Sequence, residues 1–144
     1  MKNDPSTLYV YAEERGIEVD WYSMVRAPSL SLPLPDGTCC IAIDPWKMDT
    51  IEKETVSMAH ELGHCETGSF YNRYATLDVR QKHENRADKW AICRLIPVDE
   101  LDQAVADGYT EMWQLAEHFG VTEPFMRKAV CLYTHGNLAA ELYF

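Results

Sequence analysis

Two histidines and a glutamate stand together in the run His60-Glu61-Leu62-Gly63-His64. If this run is helical, positions 60 and 64 lie one turn apart on one face, and both imidazoles reach a single metal ion. Glu61 then points about a hundred degrees away around the helix, where it approaches a water rather than the ion. Two neutral imidazoles suit zinc, which in catalytic sites takes three protein ligands plus a water, lowers the pKa of that water and polarises a carbonyl. The pattern is that of a zinc protease with Glu61 as general base. The third ligand must come from elsewhere in the chain. Glu84, 20 residues beyond His64, is the best candidate, with Asp78, His83 and Asp88 as rivals. Asp88, one turn after Glu84, also suits the task of orienting a histidine. His83, Tyr71 and Tyr74 are candidates for steadying a transition-state oxyanion, against the plainer readings of surface residue and loop packing.

A helix must carry this run, and the flanking sequence supplies one. Asp49 and Glu52 have capping-box spacing. Ile51, Thr55, Met58, Ala59 and Leu62 share one face, which predicts a helix over about 50–65. A polar, aromatic loop follows from Glu66 to Leu77. Asp78 with Gln81 offers a second capping box for a long helix that carries Glu84 and stops at Pro97. Ala87 and Ala91 are small residues on the Glu84 face and allow a close approach to the first helix. Upstream, Asp4 and Pro5 start a helix that Gly16 ends. Ile17 to Trp21 alternates as a strand. Leu30, Leu32 and Leu34 alternate too, but Pro33 and Pro35 demote that run to an edge strand. Asp36-Gly37 signals a turn into a strand over 38–43. Three shorter helices start near Asp99, Thr110 and Thr122, closed by Gly108, Gly120 and Gly136. Leu142, Tyr143 and Phe144 end the chain as a segment suited to packing. The aromatics, Trp46, Trp90 and Trp113 among them, are read as core or near-core packing.

The totals suit one domain over residues 1–144, with 98–144 as a helical C-terminal lobe. Thirteen basic residues against 23 acidic give a net charge of −10, which opposes nucleic-acid and anionic-membrane partners. No apolar run is long enough to span a bilayer, and the N-terminus lacks the pattern of a secretory signal, which predicts a cytoplasmic protein. Cys39, Cys40, Cys65, Cys93 and Cys131 are odd in number and include no CxxC pair, so reduced thiols are expected. Residues 112–133 have a helix-turn-helix pattern. From Val98 to Phe144, however, there are two basic and eight acidic residues, which disfavours DNA binding. Packing on the metal-binding helices, or docking a partner, fits better. His118 and His135 are read as surface or capping residues.

The HELGH run resembles the ImmA/IrrE metallo-endopeptidase family. So does Glu84-Asn85-Arg86-Ala87-Asp88-Lys89-Trp90-Ala91 followed by Leu95-Ile96-Pro97. The two motifs in this order and spacing are far more specific than HExxH alone, and the resemblance spans most of the chain. It implies a zincin-like α+β fold: a small, curled, mostly antiparallel sheet packed on the HExxH helix, with a helical C-terminal lobe. It also implies one Zn2+ held by His60, His64 and Glu84, with Glu61 activating water. The expected substrate is a protein, a transcriptional repressor of a phage or mobile element, which makes the chain an anti-repressor protease. The sequence departs from the family pattern at Trp90, where phenylalanine is usual, and at Arg86, where a second acidic residue is common. It departs again over Cys65 to Gly68, where apolar residues are usual. These departures leave the ligand positions intact and bear on substrate binding. Two other classes compete: a non-catalytic zincin-like binding module and a DNA-binding regulator.

Overall fold

Asp4 accepts a hydrogen bond from the Ser6 N–H, and Pro5 occupies the first helical position, so helix α1 runs from Pro5 to Glu14. In the computed structural model, which describes residues 2–142, α1 buries Leu8 and Ala12. The packing expected of the side chains of Leu142, Tyr143 and Phe144 lies outside what is described.

Three short strands follow: β1 (Glu18–Trp21), β2 (Ser29–Pro33) and β3 (Cys39–Ile43). The sheet order is β1-β3-β2. The Asp36-Gly37 turn folds β2 back antiparallel on β3, with Ser31 opposite Ile41. The 22–28 connection carries the chain from β1 past the β3 position to β2, so that β3 returns between them and pairs parallel with β1, with Val19 opposite Ile41. The α+β reading holds, and the sheet is mixed, with one parallel and one antiparallel pairing. β3 is the central strand and is almost entirely buried, while β2 is an edge, as its prolines require.

The alternation along β2 is present, but its sense is the reverse of a leucine-in reading. Ser31 is buried, whereas Leu30 and Leu32 are 43% and 45% exposed. Period-two patterning fixes which residues share a face but not which face turns inward. The polar face wins here because it meets a carboxylate on the helix behind it.

Helix α2 (Ile51–Thr67) contains the whole HELGH run. Its cap is Thr50, which accepts from the Lys53 N–H, rather than Asp49, which pairs with Lys53 at 2.7 Å. Gly68, at φ +65°, ends it in the left-handed conformation. Helix α3 (Leu77–Leu95) is capped at Thr76, two residues before the expected cap Asp78, and stops before Pro97. Helices α4 (Val98–Ala106), α5 (Met112–Phe119) and α6 (Glu123–His135) complete the chain, followed by a 3-10 turn over Ala139–Leu142. Among the described residues, no helix is long and apolar enough to cross a membrane.

The core lies where α1, α2, α3 and β3 meet and continues into α5 and α6. Met58, Ala59 and Leu62 of α2 pack with Ile92 and Leu95 of α3, Ile41 and Ile43 of β3, and Phe119 and Met126 of the last two helices. Each of the large apolar side chains among them contributes about 1.5–3 kcal/mol by leaving water. Trp90 packs against this core beside Tyr11. Trp46 and Trp113 are exposed, contrary to the core expectation: Trp46 sits on a short 3-10 turn outside the sheet and Trp113 on the outer face of α5.

Cys39 of β3 and Cys65 of α2 form a disulfide, with Cα atoms 5.7 Å apart. The expectation of reduced thiols is corrected for this pair, and Cys40, Cys93 and Cys131 are free. Spacing alone gave no sign of it, because only the docking of β3 on the last turn of α2 brings the two within bonding reach. Closing a loop between residues 26 apart is worth about 3–4 kcal/mol in the chain-entropy model.

Candidate metal centre

Three side chains converge where α2 crosses α3. His60 Nε2 lies 2.7 Å from Glu84 Oε2, His64 Nε2 lies 3.3 Å from Glu84 Oε1, and the two Nε2 atoms are 3.1 Å apart. The closeness of the helices comes from Gly63 against Ala87. A Cβ at position 63 would stand 2.5 Å from the Ala87 carbonyl oxygen. Ala87 is the small approach surface that the sequence suggests, and its partner is the glycine inside HELGH.

The other nitrogen of each ring is fixed from behind. His64 Nδ1 donates to the Ser69 carbonyl at 2.5 Å, and His60 Nδ1 to Asp88 Oδ1 at 2.7 Å. In the neutral rings these bonds place the proton on Nδ1 and leave a lone pair on each Nε2. Two lone pairs and a carboxylate then face one point, an arrangement that repels itself unless a positive charge sits there. Burial would lower the His60 pKa, but Asp88 and Glu84 on either side of the ring outweigh it and push it up to about 10. A proton on His60 Nε2 thus offsets the repulsion, and a divalent cation at the same point would displace it. Burial also acts to raise Glu84, yet the two histidines hold its carboxyl well below the usual range. The set of two imidazoles and one carboxylate fits zinc with a fourth position left open, and these three residues can hold a metal ion.

Asp88 is buried and takes a second cation, Lys128 of α6, at 3.1 Å from Oδ2. His60 and Lys128 hold its carboxyl below the usual range against the effect of burial. The C-terminal helices therefore reach the centre through Lys128, Asp88 and His60. The other base of α6, Arg127, pairs with Glu123 at 2.8 Å. Nothing in the sequence distinguished Lys128 from Arg127 beyond its place in the helical period.

Glu61 is buried beside the cluster without joining it. Its Oε2 accepts from Ser29 Oγ at 2.6 Å and its Oε1 from Ser31 Oγ at 2.8 Å. Tyr71 donates to Glu84 Oε1 at 2.8 Å, and burial and that carboxylate push its pKa up to about 12. Tyr74 is exposed and bonded to Arg73. Asp78 lies in the first turn of α3, outside the cluster. His83 is on α3 beside Tyr71, its Nδ1 buried without a partner. His118 and His135 lie in the last turns of α5 and α6, away from the centre.

Two cavities meet at this point. One, of about 560 Å³, runs along β2 past Phe70 and Tyr71, and the other, of about 450 Å³, runs toward Phe125 and Lys128 of α6. His60, Glu61 and Glu84 line both.

The model of a peptidase family described as the IrrE N-terminal-like domain matches residues 12–130. No curated protein and no solved structure matches the chain.

Proposed function

This chain belongs to the IrrE N-terminal-like family of metallopeptidases, and from that premise we propose that it is a zinc endopeptidase cleaving a protein substrate. The observation that carries the reading is the convergence of His60, His64 and Glu84 on one point with Glu61 alongside. Zinc held there by His60, His64 and Glu84 would lower the pKa of a water and polarise the scissile carbonyl. The residues do the rest. Asp88 and the Ser69 carbonyl hold the two imidazoles in the tautomer that binds metal. Glu61 takes a proton from the attacking water as the C–O bond forms, and returns it to the leaving amine as the C–N bond breaks. A cleft that continues on both sides of the centre accommodates a chain in its middle rather than at its end, which favours an endopeptidase.

The finer assignments are part of the same proposal: a transcriptional repressor of a phage or mobile element as substrate, as the family resemblance implies, a cytoplasmic location, and residues 1–144 working as one domain. Lys128 and Arg127 are both paired within the chain, so α6 is better read as support for the centre than as a DNA-reading helix.

Elemental analysis of purified protein is expected to find about one zinc per chain, and Glu84→Ala is expected to lose most of it. A wild type that takes up no zinc after reconstitution under metal-replete conditions sinks the proposal in favour of a binding module. Asp88→Ala is expected to weaken zinc binding by about 10–100-fold, read by competition with a chromophoric chelator. Unchanged affinity there would show that His60 orients itself without help.

A further inference from the structure

The edge strand β2 presents two hydroxyls at alternate positions, Ser29 and Ser31, and both are aimed at one carboxylate. Each oxygen of Glu61 receives one of them, at 2.6 and 2.8 Å. Ser31 and Glu61 are 9% and 6% exposed and Ser29 is half-buried, so water competes weakly for the Ser31 bond, and hydrogen bonds to an ionised acceptor are the stronger kind. A glutamate held by one oxygen still swings about its last torsion. Held by both, its carboxylate plane is fixed. A carboxylate oxygen has two lone-pair sites, so one on each oxygen remains for a proton in flight. Both serines line the same cavity as Glu61, which puts the clamp on the substrate side of the helix.

We propose that Ser29 and Ser31 are positioning residues that hold Glu61 in the orientation proton transfer requires. This inference rests on the reading of Glu61 as general base. The alternative is a mere staple between strand and helix. A staple affects stability and leaves turnover per folded molecule alone, whereas a clamp affects the chemical step and leaves substrate affinity alone.

The first measurement needs no turnover. In protein carrying isotope-labelled glutamate carboxyls, the Glu61 resonance is identified by its loss in Glu61→Gln. It is expected to move in Ser29→Ala/Ser31→Ala and to return in Ser29→Thr/Ser31→Thr, which keeps both hydroxyls. A resonance that stays put in the alanine variant overturns the proposal.

The second measurement uses zinc-loaded protein and fluorescein-labelled casein. The alanine variant is expected to keep its zinc and to lose about 10–100-fold in kcat with KM within about twofold, and the threonine variant to regain most of kcat. If Glu61→Gln abolishes casein cleavage while the alanine variant keeps its kcat, the clamp is wrong and the general base stands. If Glu61→Gln cleaves casein as well as the wild type, the base assignment itself fails, and the clamp for proton transfer fails with it.

Discussion

Glu61→Gln is expected to keep its zinc, to fold, and to lose about 10²–10⁴-fold in peptide cleavage, the range a positioned general base supplies. The substitution preserves shape. Ser29 and Ser31 hydroxyls rotate freely, so one still donates to the amide oxygen while the other accepts from the amide nitrogen, and neither buried group loses its partner. Only the ability to take up a proton is removed. Zinc retention is expected because the carboxylate contacts two serines and stands outside the His60, His64 and Glu84 cluster. Three measurements on one preparation decide the matter: metal content, melting temperature and turnover. Zinc loss would make Glu61 a ligand, contrary to the geometry. Wild-type turnover with zinc in place would remove Glu61 from water activation.

The parts of this architecture that depend on local sequence were open to reading, and the parts that depend on docking were not. The i, i+4 spacing of His60 and His64 is a property of any helix, so their common face follows from the sequence once the helical period is recognised. The family resemblance singled out Glu84, and Asp88 follows one turn later on the same face. Both stand beside His60 because α3 carries its helical register past α2. The two serines of β2 carry no signal in the sequence because the leucines beside them dominate the pattern. Alternation says nothing about which set turns inward until the opposite surface is known, and that surface carries Glu61. The Cys39–Cys65 pairing and the reach of Lys128 to Asp88 have the same character. Each joins elements whose contact is set by packing of the whole core rather than by neighbours in the chain. The C-terminal helices show what this costs a sequence reading. Their helix-turn-helix pattern is local and was visible, but their use as a support for His60 depends on α6 packing on α3.

Gly63→Ala is the substitution in which local and tertiary effects have opposite signs. Position 63 is in the interior of α2, where replacing glycine by alanine gains about 1 kcal/mol of helix propensity. Against this, the new methyl would stand 2.5 Å from the Ala87 carbonyl oxygen and 3.0 Å from its Cα. Those atoms are backbone within a helix, so no rotamer change relieves the contact, and α3 must move as a body. Overpacking of this kind costs about 1–3 kcal/mol, and the net expectation is a fall in melting temperature of a few degrees, about 2–4 °C for each kcal/mol lost. The larger effect is on the centre. Glu84 and Asp88 flank Ala87 on α3, so the displacement that accommodates the methyl carries the third side chain of the cluster and the partner of His60 away from α2 together. Zinc affinity is expected to fall at least about tenfold, comparable to losing a group that orients a ligand. Calorimetry of the zinc-free variant and chelator competition on the zinc-loaded one separate the two effects. A variant more stable than wild type, with zinc affinity intact, would mean that α3 can step back at no cost and that the close crossing at Gly63 is not what brings Glu84 to the histidines.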